Sequence, residues 1–105
     1  MNPKYEYVIY PKAKEDMESI FDYINDSLKS PKSAYNMIDS FQKAIENICI
    51  FPLSCPLINN EAVADKHLRK LIVDNYIIFY KPNEKEKKIE IVRVLYGMRN
   101  MADIL

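Results

Sequence analysis

The stretch HLRKLIVDNYIIFYKPNEKEKKIEIVRVLY, residues 67–96, decides the fold. It holds three β-rich runs separated by two polar breaks. The first runs from His67 to Val73, the second from Tyr76 to Lys81 and the third from Ile89 to Tyr96. Val, Ile, Tyr and Phe favour a pleated, half-buried backbone, so each run reads as a strand. Asp74-Asn75 is a two-residue break whose members both tolerate positive φ, the chemistry of a tight hairpin. Residues 82–88 are highly charged and read as the second connecting loop. Three sequential strands with short connections imply an antiparallel meander.

Upstream, the hydrophobic period changes. Ala13, Met17, Ile20, Phe21, Ile24 and Leu28 form one helical stripe after Pro11, whose fixed φ suits a first turn. Ser30-Pro31 reads as an N-cap and first helical residue, and opens a second helix. Its stripe is Ala34, Ile38, Phe41, Ile45 and Ile48, widened by Met37 and Ala44. This helix should stop near Phe51, because Pro52 disfavours helix in the residue before it. Residues 52–66 carry Pro52, Pro56 and Asn59-Asn60 and read as a loop. At the start, residues 5–10 are rich in Tyr, Val and Ile and read as a strand. The order is therefore β-α-α-β-β-β. Neither helix is apolar all round, so the expectation is an α+β domain, 1–105, with a helical hairpin on one face of a small antiparallel sheet. Arg69 and Arg93 are then expected to stay free to meet another molecule.

Composition narrows the class. A chain of 105 residues with 49% hydrophobic residues suits one globular domain. No run approaches the roughly 20 apolar residues of a membrane span, and the start has no apolar signal core, so a cytoplasmic protein is expected. Cys49 and Cys55 read as reduced thiols. With His67 the only histidine, no metal set is expected. Net charge is zero but uneven. Residues 1–65 hold six Lys and ten Asp/Glu, whereas residues 66–105 hold nine Lys/Arg and five Asp/Glu. That pattern is compatible with a polyanion or an acidic partner meeting the C-terminal part, or with ordinary surface charge.

The chain resembles the RelE/ParE toxins of type II toxin–antitoxin systems. The marks run along nearly its whole length: Ala13, Asp16-Met17, Ile20 and Tyr23-Ile24; Ala34, Ala44-Ile45 and Phe51-Pro52; Leu68-Arg69; residues 76–80; residues 91–97 with Arg99; and Ile104-Leu105. The resemblance implies a plasmid-stabilisation type of protein that arrests growth when free and is neutralised by a cognate antitoxin. It implies one of two targets. ParE-like members inhibit DNA gyrase. RelE-like members are mRNA interferases, cutting mRNA on the ribosome without metal or other cofactor. The long helices, zero net charge and absence of a clear His/Lys/Glu cluster prefer the ParE-like mode.

The nuclease alternative needs a base for the 2′-hydroxyl, cations for the phosphorane-like charge and an acid for the leaving oxygen. Arg69 matches an arginine that RNA-cleaving relatives carry on the strand after the helices, and strand alternation aligns it with Leu71 and Val73. Arg93 sits between valines, which is costly unless it is paired or faces an open groove. Alternation groups it with Ile89, Ile91 and Leu95, and a structural partner such as Asp22 or Glu18 is the plainer account. Tyr96 occupies the place where relatives often carry His. It could stack on a base or donate a hydrogen bond, or simply close the strand. Arg69, Arg93 and Tyr96 are thus the candidate catalytic set. His67, two residues before Arg69, and Arg99, past Gly97, are candidate binding residues, although a surface role suits both. The alternating Lys and Glu of residues 84–88 read as a solvated turn. Sheet edges and the aromatic run 76–80 are expected to receive an antitoxin strand or helix, and loss of the tail after Gly97 should weaken that complex.

Overall fold

The structure, a computed structural model, describes residues 4–59, 61 and 63–97. Arg99 and the tail beyond Gly97 lie outside them. The elements are β1 (Glu6–Ile9), α1 (Pro11–Asp22), α2 (Pro31–Ile50), β2 (Arg69–Val73), β3 (Tyr76–Asn83) and β4 (Lys88–Tyr96). This is the expected α+β order, with both helices packed against a four-stranded sheet.

The sheet order is β1-β4-β3-β2. β2, β3 and β4 form the expected antiparallel meander. β1, however, pairs parallel with β4, with Glu6 opposite Lys88 and Ile9 opposite Ile91, so the sheet is mixed rather than antiparallel. The two helices supply the crossover that a parallel pair requires.

Local signals explain most boundaries. Pro11 and Pro31 each open a helix. Ser30 does not cap α2 by its side chain; its Oγ pairs instead with Ser33 Oγ at 2.7 Å. The first helical stripe is not one continuous α-helix. After Asp22 it widens into a π-helical turn, Tyr23–Ser27, which adds a residue to the turn and moves Leu28 off the buried stripe into solvent. α2 ends at Ile50, as Pro52 requires. His67 falls outside β2, because its backbone N–H donates to Asp65 Oδ1 at 2.9 Å and closes a turn. β3 runs on through Asn83, so the charged connection is shorter than its composition suggests. Positive φ falls to Lys29, Asp74 and Lys87 rather than to glycine.

Both sheet faces are covered. On the helix face, Ala34, Met37, Phe41, Ile45 and Ile48 pack with Ile78, Tyr80, Ile89, Ile91 and Val94. On the other face, Ile58, Val63 and Leu68 cover Phe79 and Leu95. The 52–66 connection therefore supplies a small second core. Ile78, Phe79 and Tyr80 are buried, whereas Tyr76 and Ile77 at the hairpin end stay partly exposed, so only the first part of the aromatic run 76–80 keeps the open surface that its composition suggests.

β4 carries a bulge. Phe79 pairs with Arg93 but Tyr80 pairs with Ile91, leaving Val92 as the extra residue. Alternation breaks there: Ile89, Ile91 and Val94 share the helix-side core, whereas Leu95 joins the opposite one. The simple alternation expected for this strand fails for that reason.

Candidate functional site

The bulge takes Arg93 out of register with Ile89 and Ile91, and its side chain pairs with α1. Its Nε donates to Asp16 Oδ2 at 2.7 Å and its Nη2 to Asp16 Oδ1 at 3.0 Å. The same Oδ2 accepts the Val94 backbone N–H at 3.0 Å. β1 stops pairing with β4 at Ile91, so Asp16 takes over the exposed edge of β4 where the neighbouring strand ends. Only 14% of the Arg93 side chain and 12% of the Asp16 side chain are exposed. Donating hydrogen bonds to Asp16 holds the guanidinium protonated more firmly than usual. Arg93 is thus part of the scaffold, paired with the α1 carboxylate Asp16 rather than with the Glu18 or Asp22 considered from sequence. It is not free to meet another molecule.

Arg69 lies at the start of β2, half-buried, and its Nη1 donates to the Cys55 carbonyl at 2.7 Å. Nearby, the buried Tyr80 hydroxyl donates to the Pro52 carbonyl at 3.0 Å. Burial keeps that phenol well above the usual tyrosine range, so it acts as a neutral donor. These two bonds tie the 52–57 connection to the sheet. Arg69 also lines an open groove of about 660 Å³, with Leu53, Leu57, His67, Lys81 and Glu90 among the other lining residues. His67 and Arg69 therefore do meet in one place, although not on a shared strand face.

The groove has a polar floor that sequence reasoning missed. The Tyr10 hydroxyl donates to Glu90 Oε1 at 2.5 Å, and Asn83 Nδ2 donates to Glu90 Oε2 at 3.2 Å. The Tyr10 bond holds the Glu90 carboxyl below its ordinary pKa, and the same bond pushes the Tyr10 phenol up. Lys81 Nζ pairs with Asp65 Oδ2 at 3.0 Å. The His67 backbone amide, followed by Lys81, holds Asp65 below its ordinary range. One signal could have exposed the cluster: Glu90 is a lone carboxylate between Ile89 and Ile91.

Tyr96 stands elsewhere. It pairs with Tyr76 at the hairpin end of the sheet, whereas Arg69 pairs with Tyr80 at the other end of β2. Four positions along β3 separate these levels, roughly 13 Å at strand rise. Arg69, Arg93 and Tyr96 are consequently not gathered around one open point. Among the described residues no group of three His, Cys, Asp or Glu could hold a metal ion, and no helix is long and apolar enough to cross a membrane.

Several solved structures share the fold, and three illustrate it. The chromosomal ParDE system of P. aeruginosa aligns with TM-score 0.69 and 14% identity, covering 89% of this chain and 96% of that one. The RelBE2 toxin-antitoxin complex of Mycobacterium tuberculosis gives TM-score 0.60 and 14% identity, with 90% and 99% covered. The archaeal RelE-RelB complex of Pyrococcus horikoshii gives 0.56 and 20%, with 93% and 100% covered. No curated protein sequence matches the chain. Residues 7–101 match the family described as the ParE toxin of type II toxin-antitoxin systems. With nearly the whole chain matched and the fold shared, this protein belongs to the ParE toxin family.

Proposed function

We propose that this toxin arrests growth by binding a protein target, in the ParE-like manner with DNA gyrase as that target, and that a cognate antitoxin neutralises it in the cytoplasm. The observation that carries this reading is the fate of Arg93. A nuclease site of this kind needs several cations and a proton carrier converging on one phosphate. Arg93 is instead held in two hydrogen bonds by Asp16, and Tyr96 stands at the far end of the sheet from Arg69.

The charge balance of the groove supports the same reading. His67, Arg69, Lys81 and Lys85 are offset there by Glu84 and Glu90, with Asp65 already paired to Lys81. Phosphate contacts dominate nucleic-acid affinity, and a groove with little net charge offers few. Antitoxin binding is proposed from the family and from the RelBE2 and RelE-RelB complexes that share the fold.

Purified toxin added to a gyrase supercoiling reaction and to a translation extract tests the proposal. The expected result is blocked supercoiling with intact transcripts, and an Arg69→Ala variant that still blocks supercoiling. Transcripts cut by the wild type and spared by Arg69→Ala overturn it in favour of the RelE-like activity.

A further inference from the structure

The 52–57 connection lies on the helix side of the sheet. The Pro52 carbonyl accepts the Tyr80 hydroxyl, the Cys55 carbonyl accepts Arg69, and Cys55 packs against the helix-side core. Directly opposed residues share a sheet face. Leu57 bridges to Arg69 and Arg69 pairs with the core residue Tyr80, so all three project to that side. Pro82, opposite the core residue Ile89, joins them. Lys81 and Glu90 pair with each other one position along and project from the other face. The helix-side half of the groove is therefore Arg69 within a rim of Leu53, Leu57 and Pro82. Leu53 is 56% exposed and Leu57 is 47% exposed, an apolar rim open to solvent.

Arg69 keeps most of its donors. Nη1 meets the Cys55 carbonyl, and among the described residues no carboxylate forms an ion pair with this guanidinium. The nearby carboxylates are committed elsewhere. Glu90 accepts from Tyr10 and Asn83 on the opposite face, and Asp65 accepts from Lys81 and the His67 amide. A half-buried cation inside an apolar rim is costly without a counter-ion, and a carboxylate supplied from outside removes that cost.

We propose that this site receives an aspartate or glutamate side chain, flanked by leucine or phenylalanine, from a segment of a protein partner. The carboxylate meets the outward edge of the Arg69 guanidinium, while the flanking apolar side chain covers Leu53 and Leu57. The chemistry favours this occupant. A planar fork of donors matches a carboxylate at two points. Apolar walls around the charge select an acidic residue with an apolar neighbour over a purely polar acidic run. A nucleic acid would set its phosphates against Leu53, Leu57 and Pro82, which offer them no hydrogen bond. A basic or neutral segment would leave the guanidinium without a counter-ion. The proposal rests on the reading of this chain as a protein-binding toxin. It adds a contact apart from the one that blocks supercoiling, which Arg69→Ala is expected to keep.

Selection of random dodecapeptides displayed on phage against the immobilised full-length toxin tests the site. Soluble Arg69→Gln toxin in excess removes peptides that bind elsewhere. Enriched sequences should carry aspartate or glutamate beside leucine or phenylalanine. A selected peptide, synthesised and titrated by calorimetry, should bind at least about ten-fold more weakly to Leu57→Ser. Replacing its acidic residue by the matching amide should cost a similar factor, whereas Tyr7→Ser on β1 should leave binding unchanged. Circular dichroism confirms that each variant is folded. Failure to enrich peptides, enrichment of peptides without an acidic residue, or undiminished binding to Leu57→Ser overturns the proposal. So does enrichment by an Asp103→Asn variant but not by the wild type, which would assign Arg69 to this chain's own end. The gyrase assay separates the two ideas: wild-type inhibition without acid-dependent peptide binding sinks this contact alone, and transcript cutting sinks the toxin mode alone.

Discussion

Asp16 carries more than its neighbours on α1. One carboxylate accepts both arms of Arg93 and the Val94 amide, the last of which would otherwise face an edge with no strand. Removing one partner of a largely buried ion pair leaves the other desolvated and unpaired. Asp16→Asn is therefore expected to destabilise the fold by about 3 kcal/mol in urea denaturation. Arg93→Ala should cost a similar amount, and the double variant less than the sum. Full additivity would show that the two side chains do not act together. Glu90 gives a pH signature. Its pKa is lowered in the folded state, so the stability it contributes is complete above its ordinary value of 4.5. That stability is lost as pH falls below 4.5 and through the lowered value. Thermal melts from pH 7 to pH 3 should decline less steeply for Glu90→Gln than for the wild type, and parallel curves would remove Glu90 from the account.

At the scale of elements, residues 67–96 disclosed three strands, and the upstream stripes disclosed two helices. Periodicity reports burial, and burial dominates both features. The failures have local causes. A bulge adds one residue to β4 and redirects Arg93, a shift that composition does not announce. The π-turn does the same in the first helical stripe and exposes Leu28. Asn83 and Glu90 are seven residues apart across one hairpin, but Tyr10 is eighty residues from Glu90 and reaches it only through the pairing of β1 with β4, so the full cluster was invisible until the sheet order was known. His67 and Arg69 shared a groove as their proximity suggested, but through a turn at Asp65 rather than a common strand. The link between the helices carries a further test. Lys29 sits at φ 50° and is exposed. A side chain in that region costs about 1–2 kcal/mol, partly offset by the greater freedom of glycine in the unfolded chain. Lys29→Gly should thus stabilise by about 0.5–1 kcal/mol, measured as a higher midpoint of denaturation. A lower midpoint would contradict the assigned backbone.

For the whole molecule, the decisive feature is the parallel pairing of β1 with β4. The first strand made is the last to find its neighbour, because Glu6 lies opposite Lys88. Closing so long a loop is entropically costly, and it cannot occur before β4 exists. Nascent chains held on the ribosome by an added linker should be cleaved readily by protease when they end at Asn83. They should resist it when they extend through Tyr96. Equal sensitivity would show that the helices and the first hairpin suffice. A growing polypeptide of this kind lacks its finished sheet through most of its own synthesis, so any surface that depends on the joined edge comes into being only once the last strand has emerged.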